Sequence, residues 1–112
     1  MSGALRYYQG AERPALKLWL QDDDGTLIDF SSGYTFEFRV GLAGATPLLT
    51  KTSGIAGAAG AGVEPTGVPN IVVTWSAGEL AIAPGAYSWA LRATSVGLDR
   101  IFGGVFHVLA SL

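Results

Sequence analysis

The sequence predicts an all-β domain, a sandwich of about seven to eight short antiparallel strands. Three observations carry that reading. Apolar side chains alternate with polar ones over short runs, most clearly Tyr34, Phe36, Phe38 and Val40 against Thr35, Glu37 and Arg39, which is the period of a strand with one buried face. Turn residues punctuate the runs, with Asp24-Gly25, Ser32-Gly33, Pro84-Gly85 and Gly97 between them. Just after Pro84-Gly85, Tyr87, Trp89 and Leu91 alternate with Ser88, Ala90 and Arg92. A Tyr opening a strand after a turn fits a tyrosine corner, its ring in the core and its hydroxyl bonded to the preceding backbone.

Taken in order, residues 1–14 hold Leu5, Tyr7 and Tyr8 without clean alternation. They are expected to form an N-terminal arm or an edge strand, with the sandwich domain itself spanning residues 15–112. Leu16, Leu18 and Leu20 alternate with Lys17, Trp19 and Gln21, a strand, and Asp22 to Thr26 make a hairpin turn in which Asp-Gly is the signal. Short strands are expected over Leu27–Phe30 and Leu48–Thr52. Residues 53–69, rich in Gly and Ala, read as a long flexible loop with a brief strand near Val63. Asn70–Trp75 is rich in β-branched residues and reads as a strand. Ser76 and Glu79 have capping-box spacing, which predicts one helical turn over Ser76–Leu80. The Tyr87 strand and a final strand over Arg100–Leu109 complete the chain.

Composition narrows the function classes. Of the 112 residues, 49% are hydrophobic and 14% charged, well below the usual charged share of about 25%. Such a surface is short of solvating charge, so a partner is expected to cover part of it. Seven Lys and Arg stand against nine Asp and Glu, and the basic residues are scattered, which argues against nucleic acid. No cysteine is present, which excludes disulfides, thiolate metal sites and a Cys nucleophile. Neither a signal-peptide pattern nor an apolar run of about 18 residues occurs, so no membrane partner is expected and synthesis in a cytoplasm is.

No catalytic or metal site is predicted. The single His, His107, falls in the last strand, and no Gly-x-Ser-x-Gly elbow presents a serine beside a base. Asp22-Asp23-Asp24-Gly25 suggests calcium, but an EF-hand register would put Leu20 first and Ser31 at the bidentate position, and neither suits. The stretch from Gly57 to Gly62 lacks the Lys and the helix of a phosphate loop. No cofactor is expected. Two features remain. Trp19 lies on the phase of Lys17 and Gln21 and should point outward. The last strand is apolar on both phases, with Phe102, Phe106 and Val108 on one and Ile101, Val105 and Leu109 on the other. A strand apolar on both faces is covered on both. The cover is either the first 14 residues or another subunit, which makes Tyr7, Tyr8, Trp19, Ile101, Val105 and Leu109 the interface candidates.

The segments DDDGTLIDFSSG, YTFEFRV, NIVVTW, SAGELAIAPGAYSWALRAT and IFGGVFHVLASL, in that order, resemble the immunoglobulin-like N-terminal domain of phage upper-baseplate proteins and related stand-alone virion proteins. The resemblance runs over roughly residues 15 to 110 and ends in a Gly-x-Phe-x-Val strand, Gly104, Phe106 and Val108. It implies an immunoglobulin-like sandwich and a non-enzymatic role in a phage particle. Partners would be copies of the chain, with a trimer the order suggested by virion symmetry, and a capsid or tail protein. Upper-baseplate proteins carry further domains after this one, so a capsid decoration or accessory protein is the companion expectation. The alternative, from a different class, is a carbohydrate-binding adhesion module using Trp19 and the Gly-rich loop.

Overall fold

The computed structural model describes residues 5–11, 14–64 and 66–110. Eight strands form two sheets: β1 (Leu5–Tyr8), β2 (Leu16–Leu18), β3 (Thr35–Gly41), β4 (Leu49–Lys51), β5 (Ile55–Gly57), β6 (Ile71–Val73), β7 (Gly85–Ser95) and β8 (Leu98–Leu109). One sheet runs β1-β8-β7-β3-β4 and the other β2-β6-β5. Every pairing is antiparallel except that of β1 with β8, which is parallel. Lettered in chain order with β4 as C′, this places B, E and D on one sheet and A, G, F, C and C′ on the other, the division of an immunoglobulin-like sandwich.

Alternation sets what each sheet buries. Phe38, Val40, Trp89, Leu91, Phe106 and Val108 from the larger sheet meet Leu16, Leu18, Ile71, Val73 and Trp75 from the smaller. Aromatic rings form the centre: Phe38 stacks on Trp89 at 5.8 Å and meets Trp75 edge-on at 5.7 Å. Offset and edge-on rings at these spacings exploit the quadrupole as well as buried area. The tyrosine corner is present, with the Tyr87 hydroxyl donating to the Ala83 carbonyl at 2.6 Å.

Residues 5–8 are an edge strand of the larger sheet, one of the two forms expected of the N-terminal segment, with Leu5 to Tyr8 paired to Phe106 to Leu109. Residues 1–4, Glu12 and Arg13 of the expected arm lie outside the described residues. The stretch 53–69 is packed rather than a free loop. It holds β5, paired to β6, and Ala61 and Val68 exchange reciprocal backbone bonds at 2.9 and 2.7 Å. Small side chains there allow close approach: a Cβ on Gly57 would sit 2.8 Å from the Phe36 ring. Leu27–Phe30 is no regular strand, because its donors divide. The Ile28 N–H bonds Leu20 and the Phe30 N–H bonds Ala58, so the segment ties β2's continuation to β5's without a ladder on either.

Ser76–Leu80 is a turn and not a helix. Half of the capping pattern survives, for the Glu79 carboxylate accepts the Ser76 N–H at 2.6 Å. The same carboxylate receives the Lys51 ammonium at 3.0 Å on both oxygens. Lys51 lies on the inward phase of β4, opposite Phe38, and is buried. Glu79 is therefore held by a distant partner, which outweighs the single local hydrogen bond a further helical turn would add.

Candidate docking surface

The organising hairpin is β7–β8, paired without interruption from Gly85 opposite Val108 to Ser95 opposite Leu98. Gly103 and Gly104 lie mid-strand for a packing reason. A Cβ on Gly103 would stand 2.8 Å from the Trp89 carbonyl, and one on Gly104 would stand 2.8 Å from the Trp89 indole nitrogen. The glycines let Trp89 lie flat beneath β8 while the strand stays extended.

That register settles the second phase of β8. Ile101, Gly103, Val105, His107 and Leu109 face away from the core, opposite Arg92, Ala90, Ser88 and Ala86 of β7. Ile101 is 68% exposed, Val105 46% and Leu109 37%, and Tyr8 beside Leu109 on β1 is 56% exposed. The outer face of the larger sheet thus carries an apolar stripe on β8 and β1, small residues along β7, and charge beyond. The charged part comprises Arg92 bound to Asp99 at 2.6 Å and Arg39 bound to Glu37 at 2.7 Å. Hydrogen bonds from Arg92 hold the exposed Asp99 carboxyl below the usual carboxylate range.

Of the six interface candidates, the structure brings Tyr8, Ile101, Val105 and Leu109 to this face. Tyr7 is a correction. It lies on β1's inward phase, buried, stacked on Phe106 at 5.7 Å and edge-on to Trp75 at 5.3 Å. Burial pushes its phenol pKa up. Because β1 pairs beside β8, it completes the core at the sheet edge and leaves β8's outer face uncovered among the described residues. Trp19 keeps the phase of Lys17 and Gln21 but is half-buried, its indole N–H enclosed and unpaired. It follows β2, whereas the Gly-rich stretch contains β5, and β6 lies between those strands. The two parts of the carbohydrate reading therefore sit at opposite edges of the smaller sheet.

His107 is half-buried, its register partners being Ala86 and Arg6. The acidic turn closes on itself: Asp24 accepts the Thr26 N–H at 2.9 Å, Asp22 accepts the Gly25 N–H at 2.9 Å, and the Asp22 carboxylate pairs with Arg100. Among the described residues no three His, Cys, Asp or Glu side chains gather as a metal group, and no helix is long and apolar enough to cross a membrane. An open cleft of about 740 Å³ lies beside Tyr34, Phe36, Ile55, Thr52 and Glu37, where β3 runs on past the end of β4. Glu37 is the only carboxylate among the described residues lining it.

Comparison with known proteins finds no matching family model, no matching curated protein and no matching solved structure.

Proposed function

We propose that this chain is a non-enzymatic structural module of a phage virion. It would associate with copies of itself and attach to a capsid or tail surface through the outer face of its larger sheet. The observation that carries this reading is the row Ile101, Val105 and Leu109, joined by Tyr8, exposed together on one face. Contiguous apolar surface of this kind marks an interface in a soluble domain, and the low charged share of the sequence points the same way. The phage assignment is supported by the order of segments that resembles upper-baseplate domains. Association would bury apolar area, with the charged half of the face setting orientation.

The test is light scattering on the purified chain over a wide concentration range, beside co-sedimentation with phage particles. Oligomers and particle binding are expected, both reduced in an Ile101→Ser, Val105→Ser, Leu109→Ser variant that keeps the wild-type unfolding midpoint. A chain that stays monomeric throughout and binds no particle sinks the proposal.

A further inference from the structure

We propose that β8 pairs edge to edge with β8 of a second copy, antiparallel across a two-fold axis, with Ile101 opposite the same residue of the copy. The inference rests on the self-association reading above and names the strand, the partner and the register.

β8 is bonded along one edge by β7 over its whole length, but along the other only by β1, and only from Phe106 to Leu109. From Leu98 to Val105 that second edge has no backbone partner among the described residues. Its peptide groups are reachable, for Gly103 and Gly104 are both exposed and a glycine exposes only backbone. Soluble proteins blunt such edges with charge, proline or a bulge. Here the edge has no proline, its two charged residues Asp99 and Arg100 are engaged by Arg92 and Asp22 respectively, and Ile101, Phe102, Gly103, Gly104 and Val105 carry no charge. Unpaired ladder groups are satisfied by an extended strand, and pairing with one adds main-chain hydrogen bonds to apolar contact.

The shape of the edge selects a second copy. β1 closes the free run at Phe106, so a long foreign strand laid along β8 runs into β1. Another β8 carries the matching step. With Ile101 opposite itself, Leu98 faces Gly104, Asp99 faces Gly103 and Arg100 faces Phe102, so bulky or charged residues meet glycines or a ring. Residues on one face of the sheet stay on that face, as antiparallel pairing requires. The next pair outward sets Gly97 against Val105, the last residue of the free run before β1 begins at Leu5. Val96 is the fully exposed apolar tip of the hairpin, and this register brings it to the start of the other copy's β1. One two-fold operation satisfies both edges and closes the assembly, joining two five-stranded sheets into a continuous one.

The chain has no cysteine, so a single introduced thiol reports the register. Directly opposed residues in an antiparallel pair have Cα atoms about 4.5–5.5 Å apart, inside the disulfide range of about 4.4–6.8 Å. Ile101→Cys is expected to convert almost entirely to a covalent dimer on mild oxidation. Val68→Cys, exposed near the other sheet, is expected not to. Ile101→Lys should weaken dimerisation at least tenfold with the unfolding midpoint unchanged. Oligomers by light scattering without cross-linking at position 101, or equal cross-linking at 68, overturn the edge pairing and leave self-association standing. A wild-type chain that is monomeric at every concentration overturns both.

Discussion

The side chain of Asn70 closes a ring on the backbone of Leu20, its oxygen accepting the Leu20 N–H at 2.9 Å and its nitrogen donating to the Leu20 carbonyl at 2.8 Å. The same nitrogen donates to the Ile28 carbonyl at 2.9 Å. Asn70 is fully buried, and here it supplies the ladder that the irregular segment after Leu27 lacks. Replacing it with Ala leaves the Leu20 N–H and the Ile28 carbonyl without this partner, while the Leu20 carbonyl keeps the Ile28 N–H. Asn70→Ala is therefore expected to lower unfolding free energy by about 3 kcal/mol, since a buried unsatisfied group costs about 1–3. Urea denaturation measures it, and a loss below about 1 kcal/mol, the net worth of one ordinary hydrogen bond, would contradict the assignment.

Tyr87→Phe keeps the ring and removes only the 2.6 Å bond to Ala83. The expected loss is about 1 kcal/mol, the net worth of one hydrogen bond, with oligomer mass unchanged. A larger effect on assembly than on stability would show that the corner acts at the interface.

Lys51 and Glu79 form an ion pair on the rim of the core, the lysine 2% exposed at its side chain and the glutamate 21%. Removing the acid strands the buried ammonium, so Glu79→Ala is expected to cost about 3 kcal/mol, while Lys51→Met, which fills the site, stays within about 1 kcal/mol of wild type. Equal losses in the two variants would rule out this asymmetry.

At Gly57 an added methyl meets the Phe30 carbonyl oxygen and the Phe36 ring. Gly57→Ala is expected to destabilise by about 2 kcal/mol, as overpacking commonly costs about 1–3. The packed strand β5 predicts this outcome, whereas a free loop predicts none.

Stability is expected to fall in acid. Hydrogen bonds from Thr26, Ser31 and Arg92 lower the pKa values of Asp24, Asp29 and Asp99 respectively. A carboxyl depressed in the folded state contributes fully above its unfolded pKa, about 3.9. That contribution disappears as pH drops through the lower folded value. Thermal midpoints should hold from neutral pH to about 4, near that unfolded value, and decline below it, with a shallower decline in Asp99→Asn.

The legible parts of the fold were those set by close neighbours. Alternation in Tyr34 to Val40 and in Tyr87 to Leu91 depends on residues two apart, and β3 and β7 lie on those stretches. The Gly-rich stretch misled because small residues signal flexibility in isolation, and β5 exists only because β6 and Phe36 lie against it. Tyr7 looked available because its own segment hardly alternates, yet pairing beside β8 turns it onto Trp75 and Phe106.

By itself the sequence determined that this chain is an all-β sandwich, that Tyr87 turns a corner and that β8 is apolar on both phases. The tertiary structure decided which polar groups go inside and which edge is unpaired among the described residues. Asn70 reaches Leu20 across a separation of 50 residues, and β1 meets the far end of the chain at β8. Periodicity records which face a residue takes. Which strand lies beside it depends on closing long loops around a shared core, and no local pattern carries that information.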